Sequence, residues 1–438
     1  MPCPGKPTGG DAVRVAIIGS GIAGLGCARL LQRQGCRVTL FEANDYPGGH
    51  THTVDVTLDG ITAPVDTGFL VYNDRTYPRL IALFDELGIE SAPSTMSLAV
   101  RDDAAGVEWS GTDLAALFAQ AANLARPAFW RMLADILRFN RETTAMQRAD
   151  GVHAYTLGEY LDEGDYSAAF RDWYLLPMAA AIWSVPLSAV VDFPLPTFVR
   201  FCYRHGLLQI FDRPQWRTVA GGARTYVERI VAQLPDVRLS TPVHQVRRYA
   251  DHVEIDTTAA AGERFDQVVL ACHSDQSQAL LADASRPETE LLGRVRYQPN
   301  RVLLHTDSRL MPRRRRAWSA WNYLAAPERG NLAVCVTYWI NKLQPLPFDT
   351  PVLVTLNPPF EPGPDMLIAE FEYSHPIVKS KAVTAQQQFA HLQGQRHTWY
   401  AGAWLGYGFH EDGLASAHLV AQGIAGRSIT AAAELAAA

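Results

Sequence analysis

Lysine is scarce in this sequence of 438 residues, and an excess of basic charge is missing altogether. Only four of its 39 basic residues are lysines, namely Lys6, Lys342, Lys379 and Lys381. The 45 acidic residues bring the formal net charge to −6, so no overall basic field would attract nucleic acid. The six cysteines include no CxxC pair, and we therefore expect neither a metal site nor a disulfide framework.

A long uninterrupted hydrophobic run is also missing. The best candidate for a membrane span, residues 174–199, contains Asp192 and several prolines, which would break a spanning helix repeatedly. Residues 1–10 are rich in proline and glycine and lack the apolar core of a signal peptide. We expect a flexible tail there, and a cytoplasmic protein that rests at most on the inner face of a membrane.

The chain opens with the pattern of a β-α-β unit, within a composition that is globular at 48% hydrophobic and 19% charged residues. Residues 13–18 form a short run of branched apolar side chains, which is typical of a buried parallel strand. Residues 25–34 show helical spacing that stops at Gly35, and residues 37–41 are predicted to form a second strand.

A Gly-x-Gly-x-x-Gly motif, at Gly19, Gly21 and Gly24, lies between the first strand and the helix. Such glycines permit a tight turn and a close approach to a pyrophosphate, which the helix N-terminus then binds through its N–H groups. Glu42 ends the second strand, where a carboxylate accepts hydrogen bonds from adenosine ribose hydroxyls. Ala43 follows it where an arginine would bind a 2′-phosphate, so the motif predicts a dinucleotide without that phosphate. The alternative is a glycine turn in an ordinary α/β fold.

Further glycine-rich segments accompany this motif. Residues 47–53 contain the doublet Gly48 and Gly49, which lets the backbone lie flat against a second phosphate or a ribityl chain. Residues 398–415 are predicted to form a strand, a glycine-rich turn and a helix, which offers another helix N-terminus to a ligand. A simple NAD-binding fold does not need this return at the C-terminal end.

Together these segments resemble the superfamily of FAD-dependent amine oxidases and phytoene desaturases. The resemblance implies an α/β fold, in which a Rossmann-type FAD domain is interleaved with an α+β substrate domain that contains a mixed sheet. It also implies an FAD-dependent oxidoreductase. The residues that it assigns to FAD are Gly19, Ser20, Gly21, Ile22, Ala23, Gly24, Glu42, Ala43, Gly48, Gly49, His50, Thr51, Gly68, Phe69, Val243, Gly402, Ala403, Asp412, Gly413 and Leu414.

The predicted domains are both discontinuous in sequence. The FAD domain is expected to comprise residues 11–75, 215–295 and 395–430. The substrate domain is expected to comprise residues 76–214 and 296–394, with its helical part at residues 112–211.

Three departures from the superfamily pattern bear on the reaction. His50 stands where an arginine usually follows the glycine doublet, and Ala403 stands where an acidic residue is usual. Amine oxidases also place a lysine near the flavin in a strand whose equivalent here, residues 301–307, contains none. These departures leave FAD binding intact and argue against amine oxidation.

A closer resemblance, carried by residues 49–53, 66–69 and 318–323, is to a bacterial subgroup of flavoproteins. This subgroup includes the flavin desaturase of furan fatty acid synthesis and is often encoded beside methyltransferases. The resemblance implies a desaturase that oxidises a methyl-branched fatty acyl chain of a phospholipid, with a methyltransferase of the same pathway as a partner. The alternatives are an amine oxidase that acts on a small amine and a non-enzymatic, flavin-dependent scaffold.

Catalytic side chains are hard to predict because a flavin accepts the electrons itself. The candidates are His50, which either contacts the cofactor or assists a proton transfer, together with His305, Asn322 and Tyr323. For each candidate, core packing is the alternative. The apolar residues 174–211 are expected to form plain core, an acyl channel or a segment that inserts shallowly into a membrane. The run Arg313–Arg316 is either a solvated turn or a site for lipid phosphates.

Overall fold

The computed structural model describes residues 12–148, 155–209, 213–325 and 334–426. The flexible tail predicted for residues 1–10 lies outside them. The strands are β1 (Arg14–Ile18), β2 (Arg37–Phe41), β3 (Thr53–Leu58), β4 (Ile61–Asp66), β5 (Tyr72–Asn73), β6 (Ser91–Pro93), β7 (Leu98–Asp102), β8 (Val107–Ser110), β9 (Trp216–Val219), β10 (Val237–Arg238), β11 (Val243–Arg248), β12 (Val253–Thr257), β13 (Glu263–Phe265), β14 (Gln267–Leu270), β15 (Arg296–His305), β16 (Trp321–Ala325), β17 (Cys335–Trp339), β18 (Leu353–Leu356), β19 (Leu367–Ile377) and β20 (Thr398–Tyr400).

The helices alternate with these strands, and short 3-10 turns connect several of them. They are α1 (Ile22–Arg33), α2 (Pro78–Leu87), α3 (Leu114–Leu117), α4 (Pro127–Arg148), α5 (Leu157–Glu163), α6 (Ala168–Phe170), α7 (Leu176–Trp183), α8 (Leu187–Val190), α9 (Leu195–Arg204), α10 (Arg224–Val231), α11 (Ser274–Leu280), α12 (Arg286–Leu292), α13 (Ile340–Leu343), α14 (Ser380–Gln388) and α15 (His410–Ile424). In the described part of the chain, no helix is long and apolar enough to cross a membrane.

A parallel sheet of five strands, in the order β10-β2-β1-β14-β20, confirms the predicted nucleotide-binding fold. Its central strand β1 is buried on both faces, as its continuous apolar run predicts. The first and last helices of the domain pack on each other, because Gly26 of α1 leaves room for Leu414 and Ala417 of α15. The N-terminal β-α-β unit and the C-terminal return therefore meet in one sheet and one helix layer.

A second, seven-stranded sheet confirms the predicted mixed sheet. Its order is β19-β15-β18-β17-β16-β7-β8, and all its neighbouring pairs are antiparallel except β16 with β7. The helical residues between β8 and β9 pack against this sheet and form one large apolar core with it. The cavity described below lies between the two sheets.

Two helices differ from the predicted domain bounds. The apolar face of α2 packs with Tyr226 of the nucleotide-binding side, and α14 presents Ala382 and Ala385 to a cluster that includes Ile18 of β1. Both helices fall within the segments that are predicted to form the substrate domain. Sequence spacing gives a helix an apolar face but does not tell which of two cores that face will meet.

The segment predicted to insert into a membrane is interior as far as residue 209. Leu175, Leu195 and Phe198 are fully buried, and prolines and a π-helical turn at residues 171–175 divide the segment into short helices. The expectation of shallow insertion by these residues is therefore wrong. The segment instead supplies both core and part of a cavity wall.

Candidate functional site

One cavity of about 1830 Å³ runs between the two sheets. Sites for a single small molecule usually enclose about 300–1000 Å³, so this cavity has room for two ligands. One part, the cleft, borders the carboxyl ends of the parallel strands and contains the glycine motifs. The other part, the chamber, extends beneath α4, α7 and α9.

The cleft begins at the first glycine loop, whose geometry only glycine allows at two positions. Gly19 has a φ of +102°, and a Cβ on Gly24 would lie 1.9 Å from the carbonyl oxygen of Gly19. A Cβ on Gly21 would meet no atom within 4 Å, so this glycine leaves open space for a ligand. Helix α1 starts at the next residue without a side-chain cap, and its first N–H groups are free to bind an anion.

Glu42 holds this loop in place. One carboxylate oxygen accepts hydrogen bonds from the Ser20 backbone N–H at 2.9 Å and from its Oγ at 2.5 Å. The other oxygen accepts the Asn44 N–H at 2.9 Å. Glu42, Ala43 and Val243 line the same end of the cleft. Glu42 therefore has a structural role beside the ribose contact that the sequence predicts.

The glycine doublet brings a second loop against the first. Gly48 and Gly49 have φ values of +119° and +60°, and a Cβ on Gly49 would lie 3.1 Å from the Cα of Gly21. Gly68 allows a further close approach, since its Cβ would lie 2.2 Å from the His50 carbonyl oxygen. That carbonyl accepts the Phe69 N–H at 2.8 Å. Three segments that are separate in sequence are thus locked together around the cleft.

His50 lies in a cluster of aromatic rings at the wall of the cleft. Its ring centroid is 5.2 Å from that of His375, 5.3 Å from that of Tyr373 and 6.2 Å from that of His273. Burial lowers the pKa of His50 to about 4, so the ring is neutral near pH 7. A hydrogen bond with the Ser374 backbone raises this pKa less than burial lowers it, and the buried Nε2 has no partner among the described residues.

His410 is a second cleft histidine, which the sequence analysis did not select. It is the first residue of α15 and stacks on Phe69 with a ring-centroid distance of 3.7 Å. Its Nε2 lies 2.9 Å from the Thr51 Oγ1, and burial lowers its pKa to about 3. The signal was present in the sequence, since His410 lies within the predicted glycine-rich turn before the last helix.

Several residues assigned to FAD lie behind the cleft wall. Asp412 accepts the Phe409 N–H at 2.9 Å and so caps α15, while a Cβ on Gly413 would lie 2.7 Å from the Ile22 side chain. Leu414 is part of the core. The structure places Gly24 and Thr51 behind the surface in the same way, whereas Gly402 and Ala403 line the cleft. The residues behind the wall position the loops and helices that face the cleft.

The structure places three of the four predicted catalytic residues away from the walls of the cavity. His305 is buried in β15, where its Nε2 lies 2.7 Å from the Thr355 Oγ1. Asn322 donates to the Ser319 carbonyl at 2.7 Å, and Tyr323 packs in the core. None of the three lines the cavity, although Trp321, immediately before Asn322, does. Side chains alternate between the faces of a strand, and sequence alone did not tell which face meets the cavity.

The chamber is walled by apolar and aromatic side chains. They are Met96, Leu98, Trp109, Leu117, Leu133, Ile136, Tyr174, Met178, Ile182, Trp183, Phe201, Leu207 and Trp321. No lysine lines the described walls, and the two acidic residues that line the cavity away from the first glycine loop, Asp113 and Glu372, are both exposed at the surface. Two of the four lysines lie elsewhere, Lys342 over the Trp339 ring and Lys379 beside Asp192 at 2.8 Å.

A family model identifies this arrangement. The model of the flavin-containing amine oxidoreductases matches residues 22–349. The chain belongs to this family. It is an FAD-dependent oxidoreductase, and FAD is its cofactor. The residues of the cleft fit this group, with open space at Gly21 and free N–H groups at the start of α1.

Curated relatives of this flavin oxidoreductase carry out more than one chemistry. The chain is 29% identical over 296 residues to the carotenoid phi-ring synthase of Streptomyces griseus, a match that covers 62% of this chain and 54% of the relative. It is 27% identical over 259 residues to flavin-containing amine oxidase A of Sus scrofa, covering 57% of this chain and 47% of the relative. The match thus spans about half the length of each relative.

Solved structures share the fold over nearly the whole chain. A fatty acid isomerase from P. acnes that produces CLA superposes with a TM-score of 0.66 at 18% identity, covering 94% of this chain and 98% of that one. A putrescine oxidase bound to putrescine superposes with a TM-score of 0.68 at 16% identity, covering 95% and 100%. At these identities the likeness establishes the fold alone.

Proposed function

We propose that this oxidoreductase is a desaturase that oxidises a methyl-branched fatty acyl chain of a phospholipid. The observation that carries the proposal is the apolar chamber, which is continuous with the FAD cleft. A long hydrocarbon chain gains free energy when it leaves water for such walls, at about 0.8 kcal/mol for each CH₂ group buried. The chamber would therefore bind and straighten a chain that carries no charge.

The same walls are unfavourable for a small amine. An ammonium group that enters an apolar chamber loses its hydration and needs a carboxylate partner to compensate. Among the described residues that line the cavity away from the first glycine loop, the only carboxylates are those of Asp113 and Glu372, and both are exposed to water. The strand residues 301–307 also contain no lysine, which amine oxidases use near the flavin. Both observations favour an uncharged substrate.

The reaction removes two hydrogens from neighbouring carbons of the chain, one with the electron pair and one as a proton. FAD, when bound, supplies the acceptor for the two electrons. The chamber walls orient the chain and exclude water. His50 lines the cavity, its ring is neutral, and its buried Nε2, which has no partner among the described residues, is the nitrogen that we assign to hold the proton.

The names of two similar proteins support a lipid-like substrate, whereas others name amines. The fold of this chain is shared by a fatty acid isomerase, and the name of one curated relative refers to a carotenoid. Fatty acids and carotenoids both have long apolar chains. The methyl branch and a partner methyltransferase of the same pathway are parts of the proposal that rest on the resemblance to the furan fatty acid subgroup.

An anaerobic substrate screen tests the proposal. The holoenzyme is mixed with methyl-branched acyl phospholipids, straight-chain acyl phospholipids or putrescine, and flavin absorbance is followed. We expect bleaching by the methyl-branched lipid only, and a His50→Gln variant should bleach more slowly with its FAD content unchanged. Bleaching by putrescine alone would establish the amine oxidase alternative. If no compound bleaches a fully loaded flavin, the scaffold alternative replaces the desaturase.

A further inference from the structure

We propose that the surface formed by α3, the following 3-10 turn and α4 docks on an anionic phospholipid bilayer and opens the chamber to it. The proposal rests on the proposed lipid substrate and deepens it, because it states how an acyl chain would reach the flavin. We call this surface the docking face. Its apolar members are Leu114, Leu124, Trp130 and Leu137.

These four side chains are exposed to an extent that is unusual for their size. Leu114 is 76% exposed and Leu137 57%, while Leu124 and Trp130 are each about half exposed, at 53% and 49%. Residues 114–137 contain only three charged side chains, Arg126, Arg131 and Asp135, and Asp135 is buried. A helical face that is this poor in charge and exposes large apolar side chains is typical of interfacial membrane contact.

The docking face surrounds an entrance to the chamber. Leu114 both lines the cavity and is exposed at the surface, so the cavity reaches solvent at this residue. On α4, Leu133, Ile136 and Asn140 line the cavity, and Trp130 and Leu137 lie beside them at helical spacing. A chain that left a bilayer here would enter apolar walls without crossing water.

Trp130 is held in a fixed position on this face. Its indole N–H donates to the Leu124 carbonyl at 2.9 Å, and its ring centroid is 5.6 Å from that of Phe118. Tryptophan is enriched at the boundary between lipid headgroups and acyl chains, where its large ring is stable. The Trp130 side chain, with its N–H hydrogen-bonded and its ring exposed, is therefore compatible with that boundary.

Basic charge lies beside the apolar members. The turn Arg315–Ala317 packs against α3, and all four arginines of residues 313–316 are exposed. Arg313 pairs with Asp103 at 3.0 Å and Arg314 with Glu108 at 2.9 Å. Arg315 lies over the Trp318 ring, and no acidic partner of Arg315 or Arg316 occurs among the described residues. Half of the run is thus neutralised within the protein, and half is available to anionic headgroups.

Vesicle sedimentation tests the docking face. The holoenzyme is mixed with phosphatidylcholine vesicles with or without phosphatidylglycerol, at low and high salt. We expect binding only with phosphatidylglycerol, weakening as salt rises. The double variant Arg315→Ser/Arg316→Ser should bind about five-fold more weakly for each arginine removed at low salt. The triple variant Leu114→Ser/Trp130→Ser/Leu137→Ser should lose at least about ten-fold.

A matched control keeps the test specific. Ile61 and Met366 are 46% and 44% exposed, and neither lines the cavity. The variant Ile61→Ser/Met366→Ser should bind vesicles as the wild type does. All variants should retain the flavin absorbance of the holoenzyme, which excludes unfolding as the cause of a loss.

Three outcomes would overturn the docking face. In the first, the wild type stays in the supernatant with anionic vesicles at low salt. In the second, the triple variant binds vesicles as the wild type does. In the third, analytical ultracentrifugation shows that the wild type is a dimer and that the triple substitution dissociates it. Flavin bleaching by detergent-dispersed lipid separates this proposal from the function. Flavin bleaching without vesicle binding would overturn the docking face alone, whereas vesicle binding without flavin bleaching would overturn the proposed desaturase function.

Discussion

The cleft beside β1 and the chamber beneath α4 are parts of one cavity, yet they depend on different kinds of contact. In the cleft, backbone atoms lie so close together that a Cβ at Gly24 would reach 1.9 Å from another residue's oxygen. The chamber is walled by side chains such as Met178 and Ile182. Substitution of such side chains changes the volume of the chamber without moving the backbone. The comparison indicates that cofactor binding depends on a few backbone positions, and substrate choice on side-chain volume.

The largest expected effect is at a glycine of the cleft. Gly24→Ala forces apart the Gly19 carbonyl and α1, and we expect FAD affinity to fall more than about 100-fold. The ratio of flavin to protein absorbance after purification measures this. Gly111→Ala, on the chamber side, is the matched control, because the nearest atom to its Cβ would be 3.7 Å away. Equal flavin loss in both variants would break the comparison.

The next effect is in the chamber. Met178→Trp adds volume to the wall, and we expect the rate of flavin reduction by a long acyl chain to fall about ten-fold or more, with FAD content unchanged. Met366→Trp makes the same exchange on the surface and should have no effect on that rate. Loss of FAD from Met178→Trp would show that the two parts of the cavity are not separable.

A smaller effect is expected from the carboxylate that holds the first loop. Glu42→Ala leaves the Ser20 and Asn44 N–H groups without their acceptor, which should weaken FAD binding by about 1–3 kcal/mol. Titration of the apoprotein with FAD measures the change. Asp45→Ala, an exposed neighbour, should leave the affinity as it is. Unaltered FAD affinity in Glu42→Ala would contradict the role assigned to this carboxylate.

The smallest effect concerns the junction between the two domains. Gln344 donates to the Asp66 carboxylate at 2.7 Å, and burial raises the pKa of Asp66 to about 7. Between about pH 4 and 7 the folded protein retains a proton that the unfolded chain releases, so this group's contribution to stability falls as pH rises. Asp66→Asn should reduce that slope by about 1 kcal/mol per pH unit. Denaturant unfolding of both proteins at about pH 5 and about pH 7, both within this window, measures the change, and parallel pH dependences would contradict it.

The sequence predicted the cleft better than the chamber for a physical reason. Glycines such as Gly19 and Gly49 are required by backbone geometry, so their spacing is visible in the chain itself. The histidine cluster was only partly foreseen, because His273, which precedes α11, and His375 of β19 are far from His50 in the sequence. Whether a strand residue such as Trp321 or Asn322 faces the cavity depends on how the sheet packs, which spacing alone does not encode.

The docking face also shows that the sequence pattern alone does not determine which side chains become buried. The sequence drew attention to residues 174–211, the most apolar stretch, but the described part of that stretch is interior. Leu114 and Leu137 belong to an amphipathic pattern that predicts a core-facing helix, yet both side chains are exposed. Hydrophobicity identified what could be buried, and only the packing identified which apolar side chains remained at the surface.

A single anaerobic turnover tests the central claim, that one cavity holds FAD and an uncharged acyl chain together. The holoenzyme is mixed with a methyl-branched acyl phospholipid in detergent, and flavin absorbance and the mass of the lipid are measured on the same sample. The account predicts that each flavin reduced corresponds to one acyl chain that has lost two hydrogen atoms. A flavin that stays oxidised with this lipid but is reduced by putrescine would contradict the account.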